Sequence, residues 1–279
     1  MKKIRLIPRL DIKGPKLVKG VRLDGLRIIG DPQEFASKYY QEGADELLYV
    51  DIVASLYGRN NLIDIVKRTA KEIFIPLTVS GGIRSLKDID DLLNAGADKI
   101  SINTQAVSNP EFITEAANIF GSSNIVVAID YKKWPDDSFK KNIFGTVTKT
   151  SMGQPQEWEN YYQVYTENGR QQTGLDATEW IKEAIERGAG EIMVTSIDCE
   201  GMQNGQEIDF LSRISKDISV PIISGGGVGK LYHVYEAIKK GNLDGINIAA
   251  LLHYHKSNIK EVKNYLDSKN IQVSKNKGI

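Results

Sequence analysis

The sequence predicts a single (β/α)8 barrel assembled from two similar half-barrels. Three observations carry that expectation. The chain nearly repeats itself at a spacing of 145 residues: Ile75-Pro-Leu-Thr-Val-Ser-Gly-Gly-Ile83 returns as Val220-Pro-Ile-Ile-Ser-Gly-Gly-Gly-Val228, and Phe35 through Gly43-Ala-Asp-Glu46 returns as Trp180 through Gly188-Ala-Gly-Glu191. Short β-branched or apolar runs alternate with longer amphipathic ones, the pattern of βα units around a parallel sheet. The length, 279 residues, suits one such barrel of about 250 residues with a surplus.

Taken in order, the strand candidates are Ile4–Leu10, Glu46–Ile52, Pro76–Ser80, Lys99–Asn103, Ile125–Asp130, Glu191–Ile197, Pro221–Gly225 and Gly245–Ala249. They are too apolar on both faces for a half-solvated sheet, so helices should cover them. Helices are expected over Pro32–Glu42, Leu62–Glu72, Leu86–Asn94 and Thr178–Arg187. Asp31-Pro32 and Ser108-Asn-Pro110 look like N-terminal caps, while Gly43, Gly96, Gly188 and Gly241 sit where left-handed C-caps belong. Two regions break the rhythm. Val18–Asp31 reads as a long loop after the first strand. Residues 132–173 read as an enlarged loop after the fifth strand, polar and dotted with aromatics: Trp134-Pro-Asp-Asp, Met152-Gly-Gln-Pro, Trp158-Glu-Asn-Tyr-Tyr. Its later part, Gln163–Thr173, resembles a hairpin turning at Asn168-Gly169. Such loops are usually functional or disordered. After a short helix, residues 269–279 are expected to fray.

Composition excludes several classes. Lys plus Arg equals Asp plus Glu at 36 each, which gives no hint of nucleic acid or an anionic membrane. No apolar run reaches about 18 residues, and no signal peptide is evident. The lone Cys199 rules out an internal disulfide and the usual cysteine zinc sites, and fits a cytoplasmic location. His253 and His255 lack a carboxylate cluster in sequence and are expected at a helix start or the surface, so no metal is implied.

Chemistry in this fold sits at the C-terminal ends of the strands. Asp11, Asp51 and Asp130 end strands one, two and five, and Asp198 with Glu200 follows strand six. Asp11 and Asp130 are half a barrel turn apart. Facing carboxyls there can divide into one acid and one base. Gly81-Gly82 and Gly225-Gly226-Gly227 follow strands three and seven; Asn103-Thr104 and Ala249-Ala250 follow strands four and eight. Such small residues let backbone N–H groups and helix N-termini approach an anion. Two matching cradles suit a ligand with a phosphate at each end. At the opposite ends, Arg5, Glu46, Lys99 and Glu191 would form an ion-paired ring closing the barrel floor.

These residues resemble the cyclase subunit of imidazole glycerol phosphate synthase, of histidine biosynthesis. The stretches that carry the likeness are Arg9-Leu-Asp11-Ile-Lys, Leu17-Val-Lys19-Gly20, Asp45-Glu46-Leu, Asp51-Ile-Val-Ala-Ser55, Gly81-Gly-Ile, Gly96-Ala-Asp-Lys99-Ile-Ser-Ile-Asn103-Thr104, Val126-Val-Ala-Ile-Asp130, Gly188-Ala-Gly-Glu191, Thr195-Ser-Ile-Asp198 and Ser224-Gly-Gly-Gly-Val-Gly-Lys230. They span nearly the whole chain. The resemblance implies a glutaminase partner docked at the N-terminal face as a heterodimer, and ammonia passing through the barrel. At the far end it would meet a bis-phosphorylated ribulosyl-formimino-carboxamide nucleotide, giving imidazole glycerol phosphate and aminoimidazole carboxamide ribotide without a cofactor. It implies that Asp11 and Asp130 are the acid and base. Gly82, Asn103 and Thr104 would hold one phosphate; Gly201, Gly226, Gly227, Ala249 and Ala250 would hold the other. Lys19, Asp51, Thr195 and Glu200 would contact substrate, Lys19 from a mobile loop. The floor ring becomes the ammonia gate. The chain departs from the family at Arg9, where a small Cys is usual, at Gly14-Pro15 and at Glu200. Related barrels that use the same ammonia to make acetamidino sugars for surface polysaccharides are the alternative, and an inactive scaffold for the glutaminase is a third. Retention of Asp11 favours the cyclase.

Overall fold

The computed structural model describes residues 3–54, 62–134, 161–216 and 218–275. Its strands, in chain order, are β1 (Arg5–Lys13), β2 (Lys16–Val21), β3 (Asp24–Gly30), β4 (Leu47–Asp51), β5 (Leu77–Ser80), β6 (Lys99–Ile102), β7 (Ile125–Trp134), β8 (Tyr161–Thr166), β9 (Gln171–Asp176), β10 (Glu191–Ser196), β11 (Ile222–Gly225) and β12 (Gly245–Ile248). Parallel pairing runs β10-β11-β12-β1-β4-β5-β6-β7, and β7 pairs with β10 to close the ring of eight. Helices cover the outside: α1 (Pro32–Gln41), α2 (Ile63–Glu72), α3 (Leu86–Asn94), α4 (Thr104–Ser108), α5 (Glu111–Phe120), α6 (Ala177–Glu186), α7 (Ile208–Ile214), α8 (Leu231–Gly241), α9 (Ala250–His253) and α10 (Ile259–Ser268). The sequence-predicted barrel is therefore the observed fold.

Strand residues alternate between the helix layer and the barrel lumen. Leu6, Leu10, Leu47, Tyr49 and Ile100 pack outward in the main core, while Ile7, Leu48, Val126, Ala128, Met193 and Ile223 make a separate apolar layer inside. The half-barrel repeat extends to the caps. Asp31 accepts from Gln33 N and Glu34 N at 2.8 and 3.2 Å, and Asp176 accepts from Thr178 N and Glu179 N at 2.8 and 3.1 Å. Each opens the helix after its hairpin.

Several expectations are corrected. Val18–Asp31 is not a loop: it belongs to the β2–β3 hairpin, whose first strand buries Leu17 through Gly20. The described parts of the region 132–173 are largely regular. Residues 132–134 extend β7, and β8–β9 forms an antiparallel hairpin on it, turning through Glu167, Asn168 and Gly169 at positive φ. This hairpin is the repeat counterpart of β2–β3. Asp11 and Asp130 lie 119 residues apart, whereas Asp31 and Asp176 lie 145 apart; the difference of 26 equals the span 135–160. The surplus thus lies between Asp130 and Asp176; residues 135–160, which include Met152 and Trp158, are outside the described residues. Ser108-Asn-Pro110 supplies no side-chain cap to α5, because Pro110 itself occupies the cap position. Gly241 is still helical, and Asn242 takes the left-handed position at φ 47°.

Residues 269–275 lie against the barrel, and residues 276–279 are outside the described residues. Val273 forms a parallel bridge with Ile4, and Ser274 pairs with Asp45 and Lys263 beside the barrel floor. Lys263 donates to the Gly43 carbonyl at 2.6 Å and to Asp45 at 2.9 Å. A buried ammonium needs these partners, so the tail is held by polar satisfaction. Ending the chain after Asn270 is expected to lower stability by about 1–2 kcal/mol, read as a drop in the thermal unfolding midpoint.

Candidate active site

The mouth of the barrel is built from strand ends. Asp130, on β7, lines a cavity there, and Asp11, on β1, lies behind it beside Arg9 and Lys19. Asp11 is buried. It accepts from Arg9 Nε at 2.8 Å and from Lys19 Nζ at 3.3 Å. Burial pushes its pKa up, but the nearby cations Arg9 and Lys19 outweigh this and hold it below the usual carboxylate range. Asp130 is half-buried and has one amide partner, Asn103 Nδ2, at 2.9 Å. Burial raises its pKa to about 6 against the pull of Arg9. Two facing carboxyls are therefore pushed apart, one toward a base and one toward an acid.

Two cavities flank them. The larger, about 230 Å³, is lined by Asp51, Gly81, Gly82, Arg84, Asn103, Thr104 and Asp130 among others. The smaller is lined by Glu200, Gly201, Gly226, Gly227, Asn247, Ala249 and Ala250. Their backbones match. Asn103 has φ −119° and ψ −84°, and Ala249 has φ −122° and ψ −79°, each entering a short helix, α4 or α9. Gly81 and Gly227 are required by close approach: at positive φ, a Cβ on Gly81 would lie 2.3 Å from the Asp51 carbonyl oxygen, and one on Gly227 would lie 1.9 Å from that of Gly205. Gly227→Ala is expected to cost about 1–3 kcal/mol in stability and to raise KM for a phosphorylated substrate, measured by thermal melt and initial rates.

Other selected residues meet the site in different ways. Lys19 is not on an open loop; it is buried on β2, bonded to Glu200 as well as Asp11. Glu200 is buried too, and its carbonyl accepts from Arg22 N at 2.7 Å, so β2–β3 lies folded over the loop after β10. Asp51 accepts from Val53 N at 3.1 Å at the edge of the larger cavity. Thr195 accepts from Arg9 Nη1 at 3.3 Å. Thr104 accepts from Glu167 N at 3.2 Å, tying the second hairpin to α4. The two hairpin ends meet where Leu23, Tyr165 and Ile197 cluster. Asp198 accepts from Lys133 N at 3.0 Å, a structural contact. Cys199 is a free thiol whose pKa burial raises.

Two side chains at the site were given no role by the sequence, Asn247 and Arg9, the latter noted only as a departure from the family. Asn247 is buried on the smaller cavity, and both ends of its amide lack a protein partner among the described residues. Arg9 borders both cavities; its place two residues before Asp11, hence on the same strand face, was the available signal. His253, expected at a helix start or the surface, is buried: the short α9 turns it inward, where Nε2 lies 3.0 Å from the Arg9 carbonyl and Nδ1 2.6 Å from the Tyr39 hydroxyl. A carbonyl only accepts, so Nε2 carries the proton and Nδ1 accepts from Tyr39. Burial, then Lys19, pushes its pKa down to about 4.

At the floor, Arg5 and Lys99 alternate with Glu46 and Glu191. Arg5 bonds Glu46 at 2.9 Å and also Glu191; Lys99 reaches them at 3.2 and 3.0 Å. Thr78 donates to Glu46 at 2.5 Å. The expected ion-paired ring is present, directly beneath the apolar lumen layer. No helix among the described residues is long and apolar enough to cross a membrane.

Residues 5–258 match the family described as Histidine biosynthesis protein. Similar proteins include "Imidazole glycerol phosphate synthase subunit HisF" of Methanopyrus kandleri, 44% identical over 96% of this chain and 97% of the relative. The proteins of that name from Methanococcus vannielii and Methanocaldococcus jannaschii are 45% and 46% identical, over 96% of this chain and 98% and 97% of theirs. A closed barrel with paired cradles and a match along nearly its whole length place this chain in the histidine biosynthesis protein family.

Proposed function

We propose that the chain is the cyclase subunit of a cytoplasmic imidazole glycerol phosphate synthase, a lyase. It uses ammonia to convert a bis-phosphorylated ribulosyl-formimino-carboxamide nucleotide into imidazole glycerol phosphate and aminoimidazole carboxamide ribotide. The observation that carries this is the pair of backbone-matched cradles on either side of two carboxyls with opposite pKa shifts.

Gly82, Asn103 and Thr104 hold one phosphate through backbone N–H groups and the α4 N-terminus. Gly201, Gly226, Gly227, Ala249 and Ala250 hold the other. Asp51, Thr195, Lys19 and Glu200 shape the walls between them, Lys19 and Glu200 as the bonded pair that fastens the β2–β3 hairpin. The reacting carbons lie between the cradles, within reach of both Asp residues. Adding ammonia to a carbonyl needs a proton delivered to oxygen and one taken from nitrogen. Asp130, protonated below about pH 6, is suited to deliver it; Asp11, held anionic by Arg9 and Lys19, is suited to receive. The same pair serves bond cleavage and ring closure with roles exchanged as protons return. Water exclusion by the two hairpins protects these steps.

Ammonia arrives from below. A glutaminase partner docks at the N-terminal face, and Arg5, Glu46, Lys99 and Glu191 gate its ammonia into the lumen. The layer of Ile7, Leu48, Val126, Met193 and Ile223 supports this, since an apolar passage admits neutral ammonia and strongly disfavours ammonium.

The deciding experiment is turnover of the ribulosyl nucleotide by purified protein with ammonium salts, followed by absorbance. Turnover is expected. A folded sample that leaves this substrate intact while amidating acetamido nucleotide sugars would overturn the assignment in favour of the polysaccharide-pathway barrels.

A further inference from the structure

Arg9 and Asp11 share the lumen face of β1. The Arg9 guanidinium is bonded at one edge to Asp11 on its own strand and at the other to Thr195 on β10, three strands away around the ring. It therefore lies as a bar across the mouth, and it borders both cavities. Its backbone is anchored as well, because the Arg9 carbonyl accepts from His253, itself fixed by Tyr39. At the corresponding place in the other half-barrel, two residues before Asp130, stands Ala128. The barrel architecture thus does not require an arginine at this position.

We propose that Arg9 is a positioning residue for the reaction: its guanidinium fixes the Asp11 carboxylate at the mouth and stands as a permanent positive charge between Asp11 and Asp130. This rests on the cyclase assignment above and adds a residue to it. A guanidinium stays charged at any working pH and binds a carboxylate in a fixed plane, which an ammonium cannot do. The groups facing Asp11 are Arg9, Lys19 and His253. Those facing Asp130 are Arg9, Glu200, Asn103 and Asp11. Arg9 is the one cation common to both sets, and it lowers both pKa values. Without it, Lys19, which is shared with Glu200, is the one cation still bonded to Asp11, and Asp130 keeps the Asn103 amide but faces no cation, only the carboxylates of Glu200 and Asp11.

The test compares Arg9→Gln and Arg9→Lys with wild type by two readouts. One is kcat/KM against pH with ammonium salts. The other is a carbon-13 carboxyl titration of the substrate-free proteins, assigned with Asp11→Asn and Asp130→Asn. Arg9→Gln is expected to move both carboxyl titrations, and both limbs of the rate profile, to higher pH. At the wild-type optimum kcat should fall roughly 10²-fold with a few-fold change in KM. Arg9→Lys should return the titrations toward wild type while recovering only part of kcat. Unmoved titrations in Arg9→Gln, or an Arg9→Lys indistinguishable from Arg9→Gln, would overturn the proposal. Should Arg9→Gln not fold, Arg9→Lys and wild type decide: Asp11 must titrate below Asp130 in both. A wild type that folds and titrates this way but leaves the ribulosyl nucleotide untouched would sink the cyclase assignment and leave the electrostatic role of Arg9 standing.

Discussion

Asp130→Asn is expected to lower ammonia-dependent turnover by about 10²- to 10⁴-fold with the barrel intact. The amide keeps the bulk of the carboxyl and can still meet Asn103, but it cannot give up a proton to the substrate. The wild-type kcat/KM should fall as pH rises through about 6, where the free enzyme loses the Asp130 proton. Stability provides an independent sign. The folded-state pKa of Asp130 is raised above the 3.8 of an ordinary aspartate, so the folded protein binds this proton more tightly than the unfolded chain. That contribution is fully present below about pH 4 and is lost as pH rises to about 6. The Asn variant has no such loss. Its unfolding midpoint should therefore gain on the wild type as pH rises through that window. Asp11→Asn should also abolish turnover, but with the opposite sign in stability, because Asp11 is held anionic by Arg9 and Lys19 and its contribution is lost as pH falls. Near-wild-type rates in either variant would contradict the acid–base assignment.

Lys99→Ala is expected to separate two assays that normally agree. With free ammonium, turnover should stay within a few-fold of wild type, since Lys99 lies at the floor, below the apolar layer and away from the mouth. With glutamine and the partner glutaminase, product formed per glutamine consumed should drop, roughly tenfold, because the ring of four no longer aligns an entry for ammonia. The substitution also leaves Glu46 and Glu191, both buried, with Arg5 as their shared cation, which should cost about 1–3 kcal/mol. Equal losses in both assays would mean the ring serves stability alone.

The barrel was legible in the sequence because its strands are apolar on both faces and its halves repeat, so local pattern and global fold agree. The carboxyls and cradles were legible because the fold confines chemistry to strand ends and because Gly-Gly turns are visible as such. The second hairpin was legible from its Asn168-Gly169 turn, but the first was not. In Lys16–Val21 a lysine interrupts the apolar run, and buried lysine is rare enough that the stretch reads as solvent-facing. The contact with Glu200, 181 residues away, together with that to Asp11, explains why Lys19 can be inside. The tail contacts were hidden for the same reason: nothing near Ser274 in sequence announces that it meets Lys263 and Asp45. His253 carries no sequence signal for the carbonyl that holds it. In each case a polar residue is buried by a partner distant in sequence, and no window of local pattern contains both.

One consequence follows from Ala128 standing where the repeat would place a second Arg9. A ligand with alike ends, offered to a receptor with alike ends, can bind head-first or tail-first with nearly equal free energy, and only one orientation places the reacting atoms correctly. The cradles match in backbone geometry but not in lining, since Arg84 borders the larger and Asn247 and Glu200 the smaller. On the proposed function, the guanidinium at Arg9 and the methyl at Ala128 add an asymmetry in the middle of the site, so the ligand's direction would not rest on its phosphate grips alone.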